Sequence, residues 1–307
     1  MAGWAEASRV VFHMDERLLN LSHTLECGQA FRWRYLGGWW IGVVRGHVLR
    51  LRREAGAVVG EVYPPRIDAE SFLAAYLRID VDLDGLYRRF AAAEPLAAKA
   101  VSRFAGLRVL SQEPQETLLS YVCSTANSVA RISRSVEELS RRFGRPIATL
   151  DGHTFYAFPS AESLVQAPEE ELWSECGLGW RATNLKRVAE ELLDRPGGWP
   201  EQLRGLPYPE AKALLMKLRG VGPKIADCVC LFSLRMDEAV PVDTHVWAIA
   251  REIFGARIRT RSLTPATYAQ VASLFQERFG HFAGWAQEYL YMQRRTSLRK
   301  DDAGRMS

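Results

Sequence analysis

The sequence predicts an α+β fold, with an antiparallel β-sheet at the N-terminus followed by a long, mostly α-helical region. Two patterns carry this reading. Between residues 9 and 62, short runs of β-branched and aromatic residues alternate with glycine turns. From Asp68 onward, apolar residues recur at three- and four-residue spacing. A third observation bounds the whole: 307 residues, 48% hydrophobic and 25% charged, is the composition of a folded, water-soluble chain of about two domains.

The strands fall at Arg9–Phe12, Phe31–Tyr35, Trp39–Val44, His47–Leu51 and Val58–Val62, with Gly37-Gly38 and Arg45-Gly46 as turns and Pro64-Pro65 closing the region. Helices follow at Ser71–Leu77, Leu86–Ala100, Gln115–Val122 and Val129–Phe143, the last stopped by Gly144-Arg145-Pro146. Further helices are predicted at 161–176, 181–194, 208–218, 223–234, 245–254, 265–278 and 283–294. The expected division is a sheet domain over 1–105, a helical domain over 106–300 and a polar, frayed tail over 301–307.

Composition excludes several classes. No apolar run approaches the roughly 20 residues of a membrane helix. The first residues lack the basic and apolar blocks of a signal peptide. Five cysteines without C-x-x-C spacing argue for a reducing, intracellular setting and against a disulfide framework or a four-cysteine metal site. A net charge of +4 is compatible with nucleic acid as a partner without requiring it.

The chemistry concentrates in Leu218-Arg219-Gly220-Val221-Gly222-Pro223-Lys224-Ile225-Ala226-Asp227-Cys228 and in Pro241-Val242-Asp243-Thr244-His245. Gly220 and Gly222 allow a tight turn, and Pro223 suits the first position of a helix. Lys224 then sits in that helix's first turn, where the positive end of the dipole disfavours an ammonium and eases its conversion to a nucleophilic amine. Asp243 is placed as a helix N-cap, so its carboxylate is rigidly held. The two form a candidate catalytic pair. The alternative for Lys224 is a plain phosphate contact at a helix N-terminus.

These stretches resemble the 8-oxoguanine DNA glycosylase/AP lyase family of the helix-hairpin-helix, Gly/Pro-Asp superfamily. Three others match the family's motifs in its order: Gly28-Gln29-Ala30-Phe31-Arg32-Trp33, Gly177-Leu178-Gly179-Trp180-Arg181 and Ala283-Gly284-Trp285-Ala286-Gln287. The resemblance implies a TATA-binding-protein-like sheet domain ahead of two helical subdomains that grip DNA. The implied activity is excision of 8-oxoguanine from double-stranded DNA. Lys224 attacks C1′ to give a Schiff base, and β-elimination then nicks the strand.

By the same resemblance Asp243 activates Lys224 and stabilises charge on the sugar. Gly28 reads N7–H of the oxidised guanine through its carbonyl, Cys228 and Tyr291 face the base, and Gln287 bonds its pairing edge. Trp180 wedges the vacated stack, while Arg181 and Arg131 hold the orphaned cytosine. The family's usual asparagine there is replaced by Ala126, with Asn127 as the nearest substitute. His245, like the hairpin backbone at Gly220 and Gly222, would meet phosphate. The carbonyls of Leu218 and Val221 would hold a monovalent or divalent cation.

Read by themselves, several of these residues have blander roles. Cys228 can be core, Gly28 a turn glycine, and Gln287 with Tyr291 an ordinary helix face. Arg131 and Arg181 can be solvated charges or phosphate contacts, and His245 can be structural. The competing functions are an alkylated-base glycosylase on the same fold, which Lys224 argues against, and a non-catalytic hairpin protein. An endonuclease III-type enzyme is disfavoured because its C-terminal four-cysteine cluster is missing. The expected partner is duplex DNA carrying an oxidised guanine, with no membrane, no required cofactor and a monomeric chain. The setting would be the cytoplasm and nucleoid in a bacterium, or the nucleus in a eukaryote.

Overall fold

A computed structural model describes residues 3–258, 260 and 262–305. Five strands form one sheet in the order β1-β5-β4-β3-β2: β1 (Ser8–His13), β2 (Arg34–Leu36), β3 (Trp39–Val44), β4 (His47–Glu54) and β5 (Ala57–Tyr63). Every pairing is antiparallel, with Val11 opposite Val59 and Gly42 opposite Leu49. Arg45-Gly46 and Ala55-Gly56 close the two central hairpins with both residues at positive φ, as two-residue turns between twisted strands require.

The strand expected at Phe31–Tyr35 begins only at Arg34. Phe31 is buried in the helical core instead, and Trp33 turns onto the space above Gly42 and donates Nε1–H to the Tyr76 hydroxyl at 2.7 Å. A short helix, α1 (Leu21–Leu25), capped by Asn20, precedes that segment.

The remaining helices in order are α2 (Ala69–Leu77), α3 (Leu83–Ala93), α4 (Pro95–Arg103), α5 (Pro114–Val122), α6 (Val129–Phe143), α7 (Ala161–Gln166), α8 (Arg181–Leu193), α9 (Trp199–Gln202), α10 (Tyr208–Leu215), α11 (Pro223–Phe232), α12 (Thr244–Phe254), α13 (Pro265–Phe279) and α14 (Ala283–Arg305). The single helix expected over 86–100 is two, because Glu94 is extended and caps a new helix starting at Pro95. The one expected over 161–176 breaks at Ala167-Pro168, and a π-helical turn, Glu171–Glu175, resumes it. A hairpin absent from the sequence reading, β6 (Pro146–Leu150) and β7 (His153–Tyr156), turns on Asp151-Gly152 at positive φ.

The two largest hydrophobic clusters each draw on more than one element. The sheet packs with α2 through Leu49, Leu51, Val62, Leu73 and Leu77. The buried faces of α3 and α4 (Leu83, Leu86, Phe90, Ala97, Val101) join the large helical core instead. The two halves are tied by a buried bidentate pair, Arg78 to Asp237, at 3.0 and 2.8 Å. At the other end α14 runs past the expected limit at 300 as far as Arg305, so the tail is helical over 301–305, while residues 306 and 307 lie outside the described residues. No helix among the described residues is long and apolar enough to cross a membrane.

Candidate active site

The hairpin is built as its residues dictate. Gly220 has φ +96°, a conformation that costs an L-residue, and its N-terminal neighbours close a turn in which the Val221 N–H bonds the Leu218 carbonyl at 3.1 Å. Gly222, by contrast, is extended and caps α11 with open space where a side chain would lie. Its value is therefore room for an incoming backbone rather than chain reversal. Pro223 takes the first helical position as predicted, and Lys224 follows it.

Lys224 reaches across to α5 and the loop after it. Its Nζ donates to Ser124 Oγ at 3.3 Å and lies 4.9 Å from the centre of the Tyr121 ring. Neither partner was singled out by the sequence; Tyr121 comes from α5 and Ser124 from the loop after it, about 100 positions away, with no motif to mark them. Asp243 caps α12 as expected, its carboxylate accepting the Val246 N–H at 2.8 Å.

Lys224 and Asp243 line a cleft of about 830 Å³ whose walls also include Gly28, Asn127, Gly220, Gly222, His245 and Tyr291. A smaller pocket of about 60 Å³ opens beside them and joins Gly28, Lys224, Cys228, Asp243, Gln287 and Tyr291. Residues separated by up to 263 positions are thereby gathered around one volume. The small pocket is polar where it matters. Gln287 is 3% exposed, and its Oε1 has no hydrogen-bond partner among the described residues. A buried amide oxygen left without a partner typically costs about 1–3 kcal/mol, which a bound donor would recover.

The Gly284-Trp285-Ala286 stretch is the mount for that amide. The Gly284 N–H bonds the Asp237 carbonyl at 2.8 Å and Trp285 Nε1–H bonds the Asp237 carboxylate at 2.8 Å, fixing the start of α14. Gln287 and Tyr291 then project one turn apart. The Tyr291 ring meets His245 edge-on with centroids 5.6 Å apart. Cys228 is buried, one turn after Lys224, and burial pushes its thiol up to about 12, so it presents a neutral sulfur to the pocket. All five cysteines are free and buried.

Gly28 stands at φ +102°, and a side chain there would press on Val129 with its Cβ 3.1 Å from a methyl carbon. Glu288, unmarked by sequence, also lines the small pocket. Burial raises its carboxyl to about 7, opposed by a hydrogen bond from the Cys27 thiol and the charge of Arg295.

The residues expected on the opposite strand lie elsewhere. Trp180 is 48% exposed, with the Arg181 guanidinium 4.7 Å from its ring centre. Arg181 donates to the carbonyls of Thr125 and Ala126 at 2.6 and 2.8 Å, so it braces the loop that carries the departure from the family pattern. Ala126 itself has φ +48°. Asn127 lines the cleft, but its amide is engaged with the Cys123 carbonyl at 3.3 Å and the Ser128 N–H at 3.0 Å. Arg131 is exposed on the first turn of α6. Leu218 and Val221 are buried behind the turn.

A family model for the N-terminal domain of 8-oxoguanine DNA glycosylase matches residues 11–118, and one for the HhH-GPD superfamily of base excision DNA repair proteins matches residues 119–276. An N-glycosylase/DNA lyase of Arabidopsis thaliana is 36% identical over 89% of this chain and 77% of its own length. One from Saccharomyces cerevisiae is 31% identical over 89% and 82%. Among solved structures, the Clostridium acetobutylicum 8-oxoguanine glycosylase/lyase, bound to duplex DNA with cytosine opposite 8-oxoguanine, is 28% identical. It aligns with a TM-score of 0.80 over 91% of this chain and 92% of that one. A 3-methyladenine DNA glycosylase from Archaeoglobus fulgidus, 23% identical with a TM-score of 0.73, shares the fold.

Proposed function

The chain belongs to the 8-oxoguanine DNA glycosylase/lyase family, and we propose that it excises 8-oxoguanine from duplex DNA and then cleaves the strand through a Schiff base on Lys224. In the first step the neutral amine of Lys224 forms a bond to C1′ of the extruded nucleotide. The bond from C1′ to the base breaks, and the base leaves with the electron pair. Loss of a proton from nitrogen and opening of the sugar give the Schiff base. Removal of a C2′ proton then expels the 3′ phosphate oxygen. Asp243, held by the α12 N-terminus, takes up the lysine proton and opposes positive charge at the sugar.

The observation that carries this reading is the orphaned Oε1 of Gln287, buried in the same small pocket as Lys224, Asp243, Cys228 and Tyr291. A flat, polar heterocycle supplies the missing donor, and the sulfur and ring on either side supply its apolar contacts. Gly28 lines the pocket with no side chain to block approach, and its carbonyl, which the Tyr121 hydroxyl reaches at 3.5 Å, would accept the N7–H of the base. On the DNA side, Trp180 fills the stack, Arg181 and Arg131 meet the opposite cytosine, and His245 meets phosphate. The Leu218 carbonyl keeps one lone pair beyond its bond to Val221, so with the Val221 carbonyl it can hold a cation that would neutralise phosphate charge. The reading assigns the reaction to a single chain without an added cofactor.

Borohydride trapping on a duplex with one 8-oxoguanine tests the mechanism. Wild-type protein is expected to give a covalent adduct and Lys224→Gln none. Tight binding of the lesion duplex without any adduct would instead identify a hairpin protein that only grips phosphate.

A further inference from the structure

Asp227 lies one turn after Lys224 on α11, is fully buried, and anchors a polar cluster beside the base pocket. Its Oδ1 accepts the Tyr208 hydroxyl at 2.7 Å, and its Oδ2 accepts the Lys212 ammonium at 2.8 Å and the Tyr268 hydroxyl at 2.6 Å. Lys212 and Tyr208 come from α10, and Tyr268 comes from α13. The Tyr268 oxygen has a second partner: it accepts the backbone N–H of Val242 at 3.1 Å. Val242 immediately precedes Asp243. One hydroxyl therefore connects the helix of the nucleophile to the segment that presents the carboxylate.

We propose that Tyr268 is a positioning residue of the reaction, holding Asp243 in register with Lys224 through the Val242 amide on one side and Asp227 on the other. The inference rests on Lys224 and Asp243 being the reacting pair. Tyr208 and Lys212 already neutralise and solvate the Asp227 carboxylate, so the separate contribution of the Tyr268 hydroxyl is to the buried Val242 amide. What the Tyr268 hydroxyl adds is a direct link between α11 and the backbone immediately before Asp243. Misplacing a reacting group by about 1 Å can cost about a hundredfold in rate.

The test compares single-turnover excision at saturating enzyme, on a duplex with 8-oxoguanine opposite cytosine, for wild type, Tyr268→Phe and Tyr208→Phe. Both variants delete one hydrogen bond to the same carboxylate, but only Tyr268→Phe frees the Val242 amide. Tyr268→Phe is expected to lower the rate about tenfold or more while leaving the duplex Kd within about twofold; Tyr208→Phe should keep the rate within about twofold. An unchanged rate in Tyr268→Phe, or equal losses in both variants, would overturn the proposal. Amide exchange in the wild-type protein needs no variant to fold: Val242 should exchange slowly, and fast exchange would also refute the bond's role. If wild type gives no borohydride adduct, the assignment of Lys224 fails, and the proposal falls with it for that separate reason.

Discussion

The base pocket and the surface that would meet the opposite strand are built on opposite principles. Around the pocket each element is pinned before DNA arrives. The start of α14 is locked to Asp237, Asp243 is spent on capping α12, and Gln287 is buried with one oxygen unsatisfied. On the other surface Trp180 is 48% exposed, Arg131 is exposed, and Arg181 braces the Thr125-Ala126 loop rather than reaching outward. The proposed chemistry at C1′ depends on placement within fractions of an ångström, and these bonds arrange its side before a partner arrives. The opposite-strand surface would meet a partner that supplies contacts of its own, and it leaves Trp180 and Arg131 exposed for them. The comparison predicts that changes in the pocket alter rate and stability, whereas changes at the surface alter affinity and partner choice.

The largest effect belongs to the proposed nucleophile. Lys224→Gln removes the amine while keeping much of the side-chain volume over Tyr121, and should reduce excision by about a thousandfold or more with the lesion duplex still bound. Gel-based excision and binding assays on the same duplex read the two quantities separately. Loss of binding in proportion to loss of rate would place Lys224 on the gripping side of the comparison.

Next comes the pocket's buried acid. Glu288 is raised from an ordinary 4.5 to about 7 by burial, against the Cys27 hydrogen bond and the Arg295 charge. The folded protein keeps this proton where the unfolded chain has lost it. The associated stability is therefore full below about pH 4.5 and drains away as pH rises to about 7. A displacement of that size corresponds to about 3 kcal/mol. Glu288→Gln should remove that share, making the variant more stable than wild type at pH 8 and flattening the decline between pH 5 and 7 in denaturant titrations. Part of the slope persists, because Glu116, likewise raised by burial to about 7, is untouched. An identical slope in both proteins would show that Glu288 ionises freely in the folded state.

The same division governs what the sequence could reveal. Gly220 through Lys224 and the cap at Asp243 were legible because turn, helix start and cap are local, encoded within a few residues. Gln287 and Tyr291 were legible only through the resemblance; one turn of spacing places them on a face without saying what it meets. Ser124, Tyr121, Glu288 and Tyr268 were not legible. Each becomes part of the site by packing between elements far apart in the chain, and none breaks a local rule. The β6–β7 hairpin is a different case, since Asp151-Gly152 between two short runs is a local turn signal. Which core α3 and α4 join was not legible either, because their amphipathic pattern suits both.

On the exposed side, Trp180→Ala should weaken binding to a lesion duplex by about tenfold, since stacking on a base contributes about 1–3 kcal/mol. A half-exposed ring contributes little to the fold, so thermal unfolding should stay within about 0.5 kcal/mol of wild type. A large loss of stability with undiminished affinity would reassign Trp180 to the scaffold.

The smallest effect is at Ala126, where the chain departs from the family's usual asparagine. The residue sits at φ +48°, while Arg181 holds its carbonyl at 2.8 Å and so fixes the left-handed turn. That conformation costs an L-residue roughly 1 kcal/mol, and asparagine is among the side chains that tolerate it best. Ala126→Asn should therefore raise stability by a few tenths to about 1 kcal/mol in denaturant titration without moving the loop. It also places an amide, able to donate and accept, where alanine offers neither group to an orphaned base. One added hydrogen bond of about 0.5–1.5 kcal/mol translates into a preference for cytosine over adenine opposite the lesion that is about twofold to tenfold stronger. A drop in stability would mean that the larger side chain does not fit the turn that Arg181 holds. A gain in stability with unchanged discrimination would mean that Arg131 and Arg181 read the orphaned base without help from position 126.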